Sequence, residues 1–350
     1  GTDGKTTYKP KRDLNGIILC KSQLDQEACI YADKVRNMRQ KEYDNASLYS
    51  AEENEQAKQI IAENEKAVTE QPVQQESQNV DETPTQKESK KPEKKTETSG
   101  KKVSVNRKKL QDFDYLRQTF YQVDNTTTIG KNQLDVDKLM KPDLRIDQSV
   151  DGPQILIYHT HSQERYADSK DEKTGVVGVG DYLTELLEEE GFQVMHHKGE
   201  YDVGDRDHAY SKAAPSIQKI INDNPSIQVV IDLHRDGVGE NTRLVTTQNG
   251  KKMAKIMFFN GLSRTTASGD IPYLKNPYIS DNLAFSFQMQ LAAAEYYPDF
   301  TRRIYLKGYR FNMHFCPKSM LVEVGAQTNT FEEAKNAMEP LADLFAKVLK

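Results

Sequence analysis

No tryptophan occurs anywhere in this chain, and cysteine is nearly absent, with only Cys20, Cys29 and Cys316 among 350 residues. Three cysteines make no disulfide framework. Cys20 and Cys29 are near enough to bridge in an oxidising compartment. Cys316 is then left over, beside Pro317 and ahead of an apolar run, where a small buried hydrophobe is the default. No two of them have the spacing of zinc ligands. The chain has no run of about 18 apolar residues, and "NGIILC" is too short to span a bilayer. A chain that opens on Gly1 is expected to be a trimmed form, with room for a signal or anchor upstream. A concentrated basic face is missing too. The net charge is −5, and "KKPEKK" is interleaved with acid, so nucleic acid is not an expected partner. Phosphate-cradling patterns are absent: "GVVGVGDY" has neither Walker nor dinucleotide spacing. Ser162 lacks the G-x-S-x-G elbow of a nucleophilic serine.

Apolar residues are also scarce, at 36% against 29% charged, and the shortage is local. Residues 69–102, "TEQPVQQESQNVDETPTQKESKKPEKKTETSGKK", hold only Val73 and Val80 as sizeable apolar side chains. Burial there cannot offset a backbone ordering cost of about 1–2 kcal/mol per residue, which predicts a disordered linker. Residues 33–68 have few apolar residues at helical spacing and read as a polar stalk. The expected organisation is a largely disordered segment over 1–105, a lead-in packed on the main domain over 106–150, and that domain over 151–350.

From Pro153 onward, strands and helices alternate. "ILIY" is followed by a helix in which Val176, Val179, Leu183, Leu186 and Leu187 recur at helical spacing, stopped by Gly191. "FQVMHH" is a strand, and "HAYSKAAPSIQKIINDNP" is a helix with Ile217, Ile220 and Ile221 on one side. "IQVVIDLH" is nearly continuously apolar, as a strand covered on both faces should be. "MAKIMFFNG", "RIYLKGYRF" and "SMLVEVG" read as further strands, and "DNLAFSFQMQLAAAEYYP" as a helix. Thr330 and Glu333 form a capping box that opens a last helix through Leu349. The pattern predicts one α/β domain of roughly 200 residues with a mostly parallel sheet flanked by helices. Sites in such sheets lie at the carboxyl ends of strands.

Three of these strands end in metal-binding chemistry. "QILIYHTHSQERY" carries His159, His161 and Glu164, "VVIDLHRD" carries His234, and "SMLVEVG" carries Glu323. A catalytic zinc takes three imidazole or carboxylate ligands and keeps an open position. His161, Glu164 and His234 are the expected ligands. Glu323 is the separate carboxylate expected as general base for the water that such a zinc activates. His159 stays open as a replacement for His161 or as a support behind it. His196 and His197 are expected to be solvated, His208 to lie in a polar loop and His314 at the opposite rim. Arg235 is expected either to hold a substrate carbonyl or carboxylate or to pair with an acid such as Asp236. A plain salt bridge from Glu323 to Arg235 or Arg310 is the structural alternative to a catalytic role. The tail of a two-metal H-x-H-x-D-H motif is missing, since Gln163, Glu164 and Arg165 stand there. The domain is also short for a TIM barrel.

Taken together, "QILIYHTHSQERY", "GVVGVGDYLTELLEEEGF", "VVIDLHRDG" and "SMLVEVGAQTNTFEEA", with the upstream "DYLRQTFYQVDNTTTI", resemble the stage II sporulation protein P family of endospore-forming bacteria. The resemblance covers about residues 110–350 and not the first hundred. It implies a three-layer fold similar to zinc amidases and carboxypeptidases, and an N-acetylmuramoyl-L-alanine amidase that also cleaves the stem-peptide cross-link. It further implies a Zn²⁺ cofactor and peptidoglycan glycan strands and stem peptides as substrate. Implied partners are a lytic transglycosylase and a membrane protein of the engulfment machinery. The implied place is the extracytoplasmic face of the membrane between mother cell and forespore, reached through an N-terminal helix absent from this chain. In related amidases the first glutamate stands farther from the first histidine, a spacing that Glu172 would match in place of Glu164. A catalytically silent module that binds cell wall or a sporulation partner on the same groove is the competing expectation.

Overall fold

The computed structural model describes residues 102–350. The stalk, the linker up to residue 101 and the Cys20–Cys29 pairing lie outside the described residues. The strands are β1 (Tyr121–Val123), β2 (Ile155–Tyr158), β3 (Val194–His196), β4 (Val229–Asp236), β5 (Val245–Gln248), β6 (Lys251–Ala254), β7 (Ile256–Gly261), β8 (Arg264–Thr265), β9 (Gly269–Asp270), β10 (Ile304–Lys307) and β11 (Ser319–Ala326). The helices are α1 (Arg107–Leu110), α2 (Phe113–Phe120), α3 (Val136–Met140), α4 (Val176–Glu189), α5 (Ala209–Asp223), α6 (Ile279–Tyr296), α7 (Phe331–Asn336) and α8 (Met338–Leu349). Seven strands form one sheet in the order β1-β10-β7-β11-β4-β2-β3, with separate small hairpins from β5-β6 and β8-β9. Every neighbouring pair in the large sheet is parallel except β11 with β7. The domain is therefore α/β with a mostly parallel sheet flanked by helices.

The strands are apolar on both faces because both are covered. On one face Ile155, Ile157, Val229, Ile231, Leu233, Val322 and Val324 pack with Val179 and Leu183 of α4, Phe285 and Phe287 of α6, and Leu341 and Phe345 of α8. On the other, Leu156, Tyr158 and Val230 meet Ala213 and Ile217 of α5, with Cys316 in the same cluster. Each fully buried aliphatic side chain of this kind contributes about 1.5–3 kcal/mol relative to exposure. Residues upstream of Pro153 extend the same sheet and core. β1 pairs with β10 at the edge, and Phe120 packs on Phe287 with ring centroids 5.7 Å apart.

Two expected elements are divided in the structure. "MAKIMFFNG" splits at Lys255, whose N–H bonds Leu244 O and whose carbonyl accepts from Gly325 N. β6 accordingly belongs to a hairpin with β5 and β7 to the main sheet. The Thr330–Glu333 capping box is present, but the helix that it opens ends at Asn336, and a second begins at Met338. Pro340 is the physical cause. It has no N–H to give to Asn336, and its ring would crowd that carbonyl, whereas in the first turn of a new helix neither matters. Among the described residues no helix is long and apolar enough to cross a membrane.

Candidate metal and catalytic site

The register of three strands builds the floor of the site. Glu323 of β11 lies beside His234 of β4 and beside Met257 of β7. Leu321 in the same way lies beside Asp232 and Phe259. Strand alternation turns Val322 and Val324 into the helix-packed core, so Leu321 and Glu323 face the other way. The cavity on that side is lined by Leu321, Glu323, His234, Met257 and Phe259, together with His161 and Glu164. The site thus rests on one face of the sheet, and Glu323 stands inside its strand rather than at the carboxyl end.

His161 and Glu164 come from the turn after β2, where the N–H of Glu164 bonds His161 O at 3.4 Å. One donor atom each from His161, Glu164 and His234 falls within 4.8 Å of the others, and all three residues are buried. Both histidines turn Nδ1 toward Glu164, at 3.5 Å from Oε1 for His161 and 3.5 Å from Oε2 for His234. Glu172 sits apart on a short 3-10 turn, Glu172–Thr174. The donor set suits a divalent ion such as zinc, and the structure supplies a further sign of fit. His161 Nε2 and Glu323 Oε2 are buried with no hydrogen-bond partner. Such atoms are costly in a dry interior. No ion pair holds Glu323 among the described residues, and Asp236 is paired with Arg302 Nη1 at 2.6 Å, so neither expected salt bridge forms.

Electrostatics set these groups apart. Burial alone would raise the Glu164 carboxyl, but Arg235, His234 and His161 outweigh it and hold it well below the usual carboxylate range. Burial works against a charged His234, yet Asp232 and Glu164 prevail and raise it well above the usual histidine range. Burial dominates at Glu323 and, with Asp236 nearby, pushes its carboxyl up to about 8. Two carboxylates on one face are thereby given opposite characters, one a fixed anion and the other ready to hold a proton.

Several contributors were not expected from the sequence. Asp232 accepts hydrogen bonds from Thr160 N at 2.8 Å and Thr160 Oγ1 at 2.6 Å. Its Oδ1 is also 2.8 Å from His234 Nε2. That contact is an ion pair whose direction falls outside hydrogen-bond geometry, since Nε2 has no hydrogen-bond partner. A lone acid two residues before His234 in an apolar strand was the available signal. Arg206 donates to Glu164 Oε1 at 2.8 Å, and Tyr210 stacks on His234, with centroids 6.4 Å apart at 12°. Phe311, at φ 47°, closes edge-on against Tyr210. These three arrive from loops and a helix start, where sequence gives no pointer to the site.

The remaining histidines are also placed. His159 lies outside the three-residue cluster. Its Nδ1–H donates to Leu233 O at 2.7 Å, and its Nε2 is 2.8 Å from His196 Nε2, whose ring in turn meets Asp181 at 2.9 Å through Nδ1. His196 is thus not solvated as expected: its side chain is 5% exposed because His159 and Asp181 enclose it. His197 is half-buried against Tyr201, and His208 pairs with Asp205. His314, packed on Phe315, does not line the cavity. The His159–His196 contact depends on Gly180, where an added Cβ would lie 2.8 Å from one ring and 2.9 Å from the other. Gly180→Ala should destabilise the fold by about 1–3 kcal/mol through overpacking, measured by thermal unfolding. An unchanged melting temperature would show that the rings are free to shift.

A model of the stage II sporulation protein P family matches residues 21–346. Stage II sporulation protein P of Bacillus subtilis (strain 168) is 23% identical over 245 residues, 64% of this chain. The chain matches 58% of the length of that relative. Among solved structures, the catalytic domain of CwlV, an N-acetylmuramoyl-L-alanine amidase from Bacillus (Paenibacillus) polymyxa var. colistinus, is 12% identical. The match covers 55% of this chain and 93% of that one, with a TM-score of 0.32. The amidase AmiC2 of Nostoc punctiforme is 10% identical, covering 58% and 96%, with a TM-score of 0.35. The family match spans most of the sequence, including every residue of the site, and so the chain belongs to the stage II sporulation protein P family.

Proposed function

We propose that this protein is a zinc-dependent peptidoglycan hydrolase that cleaves the amide between N-acetylmuramic acid and the L-alanine of the stem peptide. A second action on the stem-peptide cross-link belongs to the same reading. The observation that carries it is the buried Glu323 Oε2, without a hydrogen-bond partner, in one cavity with the converging His161, Glu164 and His234. Those three residues would hold the zinc, which supplies carbonyl polarisation and a more acidic water. Asp232 and Tyr210 orient His234, and Arg206 and the Arg235 N–H, 2.9 Å from Oε2, orient Glu164. Glu323 takes a proton from the attacking water as its oxygen bonds the amide carbon. It returns that proton to the alanine nitrogen as the carbon–nitrogen bond breaks.

Family membership supports a place in sporulation, and the resemblance of the motifs supplies the chosen bond. Action at the extracytoplasmic face during engulfment, beside a lytic transglycosylase and a membrane-protein partner, completes the reading. Its test is mass analysis of purified peptidoglycan after digestion. Stem peptides with a free alanine amine, and glycan strands with a free lactoyl carboxylate, are the expected products. Unaltered peptidoglycan after incubation with the zinc-loaded protein would instead favour a silent binding module.

A further inference from the structure

Three guanidiniums line the cavity, and that of Arg302 is only partly used. The lining carboxylates Glu164, Asp236 and Glu323 are equal in number to the lining arginines, Arg206, Arg235 and Arg302. Two of the three arginines are engaged within the site. Arg206 spans Glu164 and Asp202. Arg235 donates through Nε to Arg165 O and through Nη1 to Asp236 O. Arg302 gives a single side-chain hydrogen bond, Nη1 to Asp236 Oδ2 at 2.6 Å, while lining the cavity.

Arg302 is also rigid. Its N–H bonds Ile256 O at 2.8 Å, and its carbonyl accepts from Gln290 Nε2 at 3.1 Å. Asp236, 8% exposed at its side chain, is itself fixed by the Gly237 N–H on Oδ1 at 2.8 Å. A fork held at both its backbone and one nitrogen has little ordering entropy left to lose, and its planar donors match a carboxylate.

We infer that Arg302, positioned by Asp236, is a carboxylate-recognising subsite that selects stem peptides with a free acid next to the scissile amide. The inference rests on the hydrolase reading above and names the feature of the substrate that the site discriminates. In a stem peptide the alanine is followed by a glutamate joined through its side chain, whose α-carboxylate is free unless amidated. The probes are N-acetylmuramoyl-L-alanyl-D-glutamate and its D-isoglutamine counterpart, which replaces that carboxylate by a carboxamide. With the zinc-loaded full chain, KM for the free acid should be about tenfold lower or better, the worth of one charge-assisted hydrogen bond, with kcat little changed. Arg302→Gln should abolish the discrimination, and Arg302→Lys should restore part of it. If Arg302→Gln fails to fold because Asp236 loses its cation, Asp236→Asn/Arg302→Gln keeps the pair neutral and is expected to discriminate no better. Equal KM values in the wild type, or a preference that survives in Arg302→Gln or the double variant, overturn the inference while the hydrolase reading stands. If neither probe is cleaved, calorimetric dissociation constants decide. A preference present in the wild type and lost on Arg302→Gln upholds the subsite although the hydrolase reading fails, and no preference removes both.

Discussion

Replacing Glu323 by glutamine should lower the rate of peptidoglycan hydrolysis by roughly 10²–10⁴ and leave zinc content and fold nearly intact. The amide has the shape of the acid and cannot accept the proton. A buried carboxylate oxygen without a partner is costly, and nothing among the described residues compensates Glu323 Oε2. Loss of zinc from the variant would make Glu323 a ligand, and near-normal turnover would deny it the role of base. Stability offers an independent reading in the metal-free protein. Burial, with Asp236 nearby, raises this carboxyl from 4.5 to about 8. Its protonated form is then favoured by folding, so its contribution is complete below the unfolded value and is lost as pH climbs toward the folded one. In chelator, wild-type protein should lose stability between pH 4.5 and about 8, and Glu323→Gln should remove part of that slope. Denaturant midpoints across this range, read by circular dichroism in a chain without tryptophan, measure it.

Exchange of His234 for alanine should abolish zinc binding at neutral pH. Damage behind a ligand typically weakens metal affinity about 10- to 100-fold, and loss of one of three protein ligands should exceed that. The metal-free fold should suffer as well. His234 Nδ1 is 3.5 Å from Glu164 and its Nε2 is 2.8 Å from Asp232, all buried. Removing the cationic partner of a buried pair costs about 3–5 kcal/mol. Elemental analysis after chelator-free purification measures the first effect and thermal unfolding the second. A variant that keeps a full equivalent of zinc and full activity would take His234 out of the centre.

The sequence by itself determined the alternation of strands and helices, the parallel character of most of the sheet, and the candidacy of His161, Glu164, His234 and Glu323. These were legible because apolar periodicity and a polar residue in an apolar strand are local signals. It also marked the capping box at Thr330, but not the break at Ala337, because Pro340 acts through the carbonyl of Asn336, four residues back. Only the tertiary structure decided which histidine of "HTH" meets Glu164. His161 does, while His159 is taken up by Leu233 O and His196. It likewise decided that Glu323 stands beside His234, since strand neighbours come from a register that no single segment encodes. Asp232, the Arg206–Tyr210 stretch at the start of α5, and Arg302 reach the site from three separate segments. Their roles depend on distances between parts of the chain far apart in sequence, and those distances are fixed only when both faces of the sheet are packed.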